Sequence, residues 1–297
     1  MQTALLILPN FVLILAGLLL ARGFGYGRGF WEGLEKLVYY VLFPALLFRS
    51  LAVSTLDLGS LGKVVACAAV LMLLSMALSA LARPLFRVEP RTAASCFQCA
   101  FRFNTYVGLA VAGSLFGPPG VAVAALLMGA MVPIANVGAV GMLAAHSGQG
   151  LAGELARNPL IVSTLAGFAW NLAGVPMPGF ADQTLGLLGQ SALPAGLLAV
   201  GSALRIERGQ APVAAHAWWL AVKLLAMPLG AWLGVKVLGL TGLEAGVLVM
   251  WAALPTASSA YILAVRMGGD GESVATQITL GTVISMASIP LWMATQA

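Results

Sequence analysis

The chain has 297 residues, of which 60% are hydrophobic and only 8% are charged. A soluble domain carries about 25% charged residues, so this composition excludes an ordinary water-exposed surface and indicates a protein surrounded by lipid. The formal net charge of +5 does not indicate nucleic-acid binding, because the basic residues follow the membrane topology described below.

Long apolar runs, separated by charged residues, glycine and proline, predict an all-α integral membrane protein with ten transmembrane helices. A spanning helix needs roughly 20 apolar residues, whereas the strands of a membrane barrel alternate over about 10. No basic segment precedes the first run, and Arg22 follows it, so we expect a retained helix and not a cleaved signal peptide. The predicted helices 1 to 10 cover residues 3–21, 33–53, 62–82, 92–115, 119–144, 155–174, 184–204, 212–238, 243–265 and 273–294.

Basic residues concentrate on one side of this predicted topology. The opposite side holds at most Lys63, Lys236 and Arg49. The positive-inside rule therefore places the odd-numbered loops in the cytoplasm and both termini outside the inner (plasma) membrane. The basic residues of the odd-numbered loops are Arg22, Arg28, Lys36, Arg83, Arg87, Arg91, Arg157, Arg205, Arg208 and Arg266.

The two halves of the chain share a proline pattern 150 residues apart. Residues 43–47 read FPALL and residues 193–197 read LPAGL, so that Pro44 and Pro194 lie within the second and seventh predicted helices. Each half has five predicted spans, an odd number, and the second half must therefore enter the membrane from the opposite side. This arrangement is an inverted repeat, which is common among secondary transporters. The predicted repeats are residues 1–148 and 149–297.

The fourth predicted helix contains a polar stretch, CFQCAFRFNTYVG, at residues 96–108. Arg102 lies about 10 residues into this span, where a charge is costly and marks a functional site by default. The alternative is that it reaches the membrane surface or pairs with a backbone carbonyl. Gln98 lies one helical turn before Arg102 and Tyr106 one turn after it, so we expect the three residues to share a face. That face could present a guanidinium with hydroxyl and amide groups to a carboxylate. The predicted substrate-binding residues here are Gln98, Arg102, Asn104, Thr105 and Tyr106, with Gly108 as a hinge.

The ninth predicted helix contains a matching polar stretch, ALPTASSAY, at residues 253–261. Pro255 removes a backbone donor and breaks the helix, and an anion can bind at the helix N-terminus that follows. The alternative is an ordinary proline kink that serine hydroxyls stabilise. In the repeat register Asn104 matches Thr256. The predicted binding residues here are Pro255, Thr256, Ser258 and Ser259, and the predicted crossover or hinge prolines are Pro44, Pro194 and Pro255.

Ionisable groups of other kinds are scarce inside the predicted spans. No Asp or Glu lies in the middle of a span, which argues against a proton relay through buried carboxylates. An intramembrane enzyme would need a cluster of catalytic acids, bases or metal ligands at depth, so we expect neither an enzyme nor a bound metal or cofactor. Lys223 is the other intramembrane base, and it could equally reach the surface. Whether Na⁺ or H⁺ is coupled stays open.

Short motifs along the whole chain resemble the auxin efflux carrier family, in particular its bacterial carriers of malonate, malate and similar acids. They are YVLFPALLF at residues 40–48, FNTYVG at 103–108, NPLI at 158–161, LPA at 193–195, ALPT at 253–256 and the segment 285–290. The resemblance implies that Asn104 and Pro255 lie where broken helices 4 and 9 cross at the substrate site. In place of the proline that family members often carry after the helix-4 glycine, Leu109 follows Gly108.

The family resemblance also implies an architecture and a mechanism. Helices 1, 2, 6 and 7, about residues 3–53 and 155–204, would form a scaffold that is a homodimer in the lipid membrane. Helices 3–5 and 8–10, about residues 62–144 and 212–294, would form a transport domain that moves by an elevator-type alternating-access mechanism. The implied substrate is a small organic anion such as a mono- or dicarboxylate. The alternative is a sodium-coupled symporter of the bile acid symporter type, which has a similar crossover.

Overall fold

A computed structural model describes residues 2–54, 58–144 and 159–296 of the chain as helices joined by short connections. No strand occurs in these ranges, which confirms the predicted all-α class. Within them, six helical stretches are long and apolar enough to cross a membrane. One of these stretches, Pro90–Leu143, has 54 residues, more than twice the roughly 20 that one span needs, and its helical path is interrupted.

In the first part of the chain, helices end at residues 23, 52 and 80, close to the predicted ends at 21, 53 and 82, but the predicted fourth helix, 92–115, is interrupted at residues 101–104. Gly117, with a φ of 65° that suits glycine, interrupts the helical dihedral angles of the helix Thr105–Ala144 between the predicted fourth and fifth spans. A π-helical turn, Val38–Leu42, joins two helices of the second predicted span, and a 3₁₀ turn, Gln98–Ala100, extends the helix that ends at Phe97. The helices are α1 (Gln2–Gly23), α2 (Arg28–Leu37), α3 (Phe43–Ala52), α4 (Leu58–Ala80), α5 (Ala82–Phe86), α6 (Pro90–Phe97) and α7 (Thr105–Ala144).

The second part of the chain has a similar succession of long and short helices. Pro194 lies inside the helix Gly179–Ser202, which continues through it, and a π-helical turn, Val222–Ala226, joins the helix that ends at Ala221 to the one that begins at Met227. The predicted repeat boundary at residues 148 and 149 and the residue Asn158 lie outside the described ranges. The helices are α8 (Pro159–Leu172), α9 (Gly179–Ser202), α10 (Val213–Ala221), α11 (Met227–Leu238), α12 (Gly242–Ala252), α13 (Ser259–Arg266) and α14 (Gly271–Ala294).

The helices group into two compact units. The first unit contains α1, α2, α3, α8, α9 and residues 109–129 of α7. The second unit contains α4, α5, α6, the remainder of α7, and α10 to α14. Each unit therefore draws its helices from both halves of the chain.

Close backbone contacts hold the first unit together. A Cβ atom added at Gly201 of α9 would lie 1.8 Å from the carbonyl oxygen of Ile14 in α1, and one at Gly17 of α1 would lie 2.1 Å from the carbonyl oxygen of Leu198. Glycine thus lets the two helices touch along their backbones, as small residues do between membrane helices. At the start of α9, the guanidinium of Arg49 pairs with the Asp182 carboxylate, with Nε and Oδ1 2.7 Å apart.

The second unit has a tightly packed core around Trp219, which is fully buried. Its indole N–H donates to the carbonyl of Ser79 on α4, at 3.3 Å. This core fixes the C-terminal end of α6 and the beginning of α13, the two elements that flank the candidate site. Its buried members are Ala82, Val88, Cys96, Cys99, Ala100, Ala215, Trp219, Val222, Ala260, Ala264, Val274 and Ile278.

Candidate functional site

Two non-helical segments of the second unit lie side by side. One separates the 3₁₀ turn after α6 from α7, at residues 101–104, and the other separates α12 from α13, at residues 253–258. The backbone N–H of Asn104 donates to the Pro255 carbonyl at 2.8 Å, and the Thr256 hydroxyl donates to the Cys99 carbonyl at 2.7 Å. Backbone groups that the interruptions release from helical pairing are therefore partly satisfied by the opposite segment.

Different local signals produce the two interruptions. The helix α12 ends at Ala252, three residues before Pro255, because proline disfavours the helical conformation of the residue before it and cannot donate a hydrogen bond. No proline lies in the other segment. There Asn104 starts α7 by accepting hydrogen bonds at Oδ1 from the backbone N–H groups of Tyr106 (3.1 Å) and Val107 (3.2 Å). This is the ordinary role of asparagine at a helix N-cap.

Arg102 lies in the first of these segments and is only 8% exposed. Its guanidinium donates to the Asn136 side-chain oxygen on α7 and lies 3.4 Å from the Ser259 hydroxyl, at the first residue of α13. The alternative that Arg102 extends to the membrane surface is therefore wrong, because its side chain is held between two helices of the unit. Both of these contacts are made to neutral groups.

Two buried polar atoms of residues close to Arg102 in the sequence have no hydrogen-bond partner in the described part of the chain. They are Nδ2 of Asn104, whose residue is 2% exposed, and Oε1 of Gln98, whose residue is fully buried. The amide nitrogen of Gln98 does have partners, the carbonyls of Ser95 (3.2 Å) and Ala260 (3.0 Å). A buried polar group without a partner costs about 1–3 kcal/mol. Nδ2 of Asn104 is therefore a buried hydrogen-bond donor without an acceptor.

The predicted common face of Gln98, Arg102 and Tyr106 is wrong. These residues have helical spacing in the sequence, but the backbone between them is not helical at 101–104. The Gln98 side chain instead donates to the carbonyl of Ala260 on α13. The chain interruption, and not a helix face, is what brings polar groups of the two segments together.

The other predicted site residues divide between the two units. Thr256 is buried, Thr105, Tyr106 and Ser258 are half-buried, and Ser259 is exposed, all in the second unit. Gly108 lies in the first turn of α7, where its N–H donates to the Asn104 carbonyl at 2.9 Å. The predicted hinge prolines Pro44 and Pro194 belong to the first unit. Within the second unit, the site is therefore formed from α6, α7, α12 and α13.

Several residues that contribute to this region were not predicted. One is Asn136, which the sequence could have indicated, because it is a single carboxamide within an apolar helix. Ser75 and Ser79 of α4 are others: their hydroxyls donate to the carbonyls of Ala100 (2.7 Å) and Phe97 (2.8 Å). For Lys223 the sequence predicts either an intramembrane base or a lysine that reaches the surface. It is 1% exposed inside the second unit, so it does not reach the surface.

A polar cluster ties the beginning of α6 to the beginning of α14. The Asp270 carboxylate accepts hydrogen bonds from the hydroxyls of Thr92 (2.9 Å) and Ser273 (2.6 Å) and from the backbone N–H of Gln210 (3.1 Å). Burial alone would raise the pKa of Asp270, but these hydrogen bonds outweigh it, so the pKa lies below its ordinary value. A cavity of about 480 Å³ opens beside the cluster and is lined in part by Arg91 and Tyr261.

Comparisons with known proteins point to transport. A family described as membrane transport protein matches residues 146–293. An "Uncharacterized transporter" of Methanothermobacter thermautotrophicus is 28% identical over 295 residues, which cover 96% of this chain and 96% of that protein. A protein of Rhizobium meliloti (strain 1021) named "Putative malonate transporter" is 25% identical over 312 residues, which cover 96% of this chain and 92% of that protein.

Proposed function

This chain belongs to the membrane transport protein family of auxin efflux carriers, and we propose that it is a secondary transporter of small organic anions. The substrate is a mono- or dicarboxylate that binds where residues 101–104 meet residues 253–258. The observation that carries this proposal is the buried Arg102 guanidinium, held by Asn136 and Ser259 beside the two hydrogen-bonded interruptions. The name of the Rhizobium relative supports a carboxylate as the substrate.

The helix ends around Arg102 favour an anion. Both α7 and α13 begin at the interruptions, and a helix N-terminus carries roughly half a positive charge from its unpaired N–H groups. The side chain of Ser258 does not cap α13, and Nδ2 of Asn104 is a buried donor without an acceptor. A carboxylate can accept two parallel hydrogen bonds from a guanidinium and would also supply the acceptor that Asn104 lacks.

The proposed architecture is the inverted repeat of ten spans. Its support is that equivalent helix ends recur at nearly constant separation. The helix α3 ends at Ala52 and α9 ends at Ser202, 150 residues later; α6 begins at Pro90 and α12 begins at Gly242, 152 residues later. In this proposal α6 with the start of α7 is broken helix 4, and α12 with α13 is broken helix 9.

The proposed mechanism is elevator-type alternating access. The scaffold comprises residues 3–53 and 155–204, and the transport domain comprises residues 62–144 and 212–294, which hold the whole of the proposed binding site. The protein works as a homodimer in the inner membrane, with both termini on the outer side. The support for a moving domain is that Arg102, Asn104, Pro255 and Ser259 all lie in the second compact unit, so a bound anion can travel with it. Residues 109–129 of α7, which the proposal assigns to the transport domain, group with the first unit.

A thermal-shift screen of purified protein against malonate, malate and other small organic acids tests the proposal. A ligand that binds only the folded state stabilises it by about 2.7 kcal/mol at 100 times its dissociation constant. We expect a dicarboxylate to raise the melting temperature of the wild type. Arg102→Gln should lose this shift because the charge that binds the carboxylate is gone, and Arg83→Gln, in the exposed part of α5, should keep it.

Two results would contradict the proposal. If no organic acid stabilises the wild type at millimolar concentration, the substrate class is wrong. If Arg102→Gln folds, as judged by a single peak on size-exclusion chromatography, and binds the acid with wild-type affinity, Arg102 does not belong to the site. Arg102→Lys keeps the charge but loses the bidentate geometry, and we expect it to bind about tenfold or more weakly.

A further inference from the structure

Lys223 is a second buried basic residue of the same unit, and the proposed binding site does not use it. It is 1% exposed and lies in the π-helical turn between α10 and α11. Its ammonium lies 3.4 Å from the carbonyl oxygen of Ala252 and 3.6 Å from Sδ of Met227. It also lies 5.9 Å from the ring centroid of Trp251, within reach of a cation–π contact.

The position of this ammonium is that of a cation bound at a helix C-terminus. Ala252 is the last residue of α12, and the end of a helix carries roughly half a negative charge on its unpaired carbonyls. The carbonyls of Val249, Met250 and Trp251 receive backbone N–H groups from Ala253 or Leu254. The next carbonyl along the chain, that of Ala252, lies 3.4 Å from the Lys223 ammonium nitrogen.

The carbonyl groups at the corresponding C-terminal end of α6 accept hydrogen bonds from neutral groups. The carbonyls of Phe97, Cys99 and Ala100 accept hydrogen bonds from the hydroxyls of Ser79, Thr256 and Ser75, respectively. The carbonyl of Gln98 accepts the backbone N–H of Arg102 at 2.9 Å. Unwound carbonyls and the C-terminal ends of half-helices are the groups that bind Na⁺ in many secondary transporters. In this chain the carbonyls at the C-terminal ends of α6 and α12 already have protein partners.

We propose that Lys223 is a built-in cation that replaces a coupling Na⁺ at the C-terminal end of α12, so that anion transport by this chain is independent of sodium. The inference rests on the proposed function. It decides against the sodium-coupled alternative that the sequence leaves open. Lys223 is a positioning residue: it holds the end of α12 and, through Trp251, whose ring lies 5.5 Å from that of Phe103, the segment that carries Arg102.

Transport assays in proteoliposomes provide the first test. We expect wild-type uptake of labelled malonate, or of the acid that the thermal-shift screen selects, to be equal within about twofold in sodium and choline buffers. Lys223→Met keeps the length and apolar volume but removes the charge, and it should lower uptake at least tenfold. Lys236→Met is the matched control, since Lys236 is an exposed lysine of α11 that also faces a tryptophan, Trp232, at 5.5 Å. It should keep wild-type uptake.

A smaller side chain separates the role of the charge from a merely structural one. Lys223→Ser leaves room and a hydroxyl at the end of α12, so sodium should restore part of its lost uptake and raise its melting temperature, whereas choline should do neither. Wild-type uptake that requires sodium would overturn the inference, as would unchanged uptake in Lys223→Met. A Lys223→Ser variant that folds but does not respond to sodium would also overturn it.

The melting temperatures also distinguish this inference from the proposed function. If the wild type neither binds nor transports any organic acid, the proposed function fails. The sodium response of the melting temperature in Lys223→Ser, compared with its absence in the wild type, still tests the built-in cation, because that measurement needs no substrate.

Discussion

The two polar atoms of the Asn104 side chain have different roles. Oδ1 caps α7 by accepting the N–H groups of Tyr106 and Val107, and Nδ2 is the buried donor that we assign to the substrate. Replacing the residue by alanine would remove both. Aspartate is the substitution that separates them, because its carboxylate caps helices as well as asparagine does but has no donor.

Asn104→Asp should therefore fold normally but bind the anion poorly. We expect its melting temperature to stay close to that of the wild type, whereas Asn104→Ala should lose about 1 kcal/mol of stability with the cap. The added negative charge next to the proposed carboxylate site should weaken binding at least about tenfold, since like charges repel strongly away from bulk water. Isothermal titration calorimetry with the selected acid measures this. Wild-type affinity in Asn104→Asp would show that Nδ2 does not face the substrate.

The sequence predicted which residues are polar at membrane depth but not which of them touch. Arg102 and Asn104 stood out because charged and amide groups are costly in lipid. That Arg102 donates to Asn136, 34 positions further along the chain, depends on how α7 packs within its unit, which no local pattern reports. For the same reason the partner of Lys223 at Ala252 was not foreseeable.

At the scale of helices, glycine decides how closely α1 and α9 approach. A Cβ atom at Gly201 would lie 1.8 Å from the backbone oxygen of Ile14, and backbone cannot move aside as a flexible side chain can. Gly33 of α2 offers the opposite case, since a Cβ atom there would meet no atom within 4 Å. The two glycines therefore make a matched pair in the first unit.

Gly201→Ala should destabilise the protein, and Gly33→Ala should not. Forcing a methyl group into a packed contact typically costs about 1–3 kcal/mol, whereas alanine in an open helical position gains about 0.5–1 kcal/mol over glycine. Thermal unfolding in detergent, monitored by tryptophan fluorescence, measures both effects. An unchanged melting temperature in Gly201→Ala would mean that α1 and α9 are further apart than described here.

The position of a helix interruption was predictable where a proline causes it and only roughly predictable where no proline is present. Pro255 predicted the break after α12, but the helix ends three residues before the proline. The backbone conformation of the residue before a proline is already restricted. The break at residues 101–104 contains no proline and was indicated only by its polar residues and by the family resemblance. The Asn104 side chain caps α7 there, and the N–H of Asn104 also bonds to the Pro255 carbonyl, so the second break contributes to the first.

For the whole molecule, the proposed inverted repeat makes a prediction about sidedness. In that repeat the ends of α3 and α9, at Ala52 and Ser202, are equivalent and therefore lie on opposite sides of the membrane. The excess of basic residues in the odd-numbered loops assigns the end of α9 to the cytoplasm. Two exposed residues follow these ends closely enough to report on them: Val53 is 52% exposed and Ile206 is 71% exposed.

Single cysteines at these positions should therefore label from opposite sides. In a background with Cys67→Ser, where the remaining Cys96 and Cys99 are buried, Val53→Cys should react with a membrane-impermeant maleimide in intact cells. Ile206→Cys should react only after the membrane is permeabilised, because a maleimide with a fixed charge cannot cross roughly 30 Å of hydrocarbon. The unlabelled Cys67→Ser background is the control for the two buried cysteines. If both engineered cysteines react from the same side, the two halves have the same orientation, and the crossing of oppositely directed half-helices at Arg102 has no architectural basis.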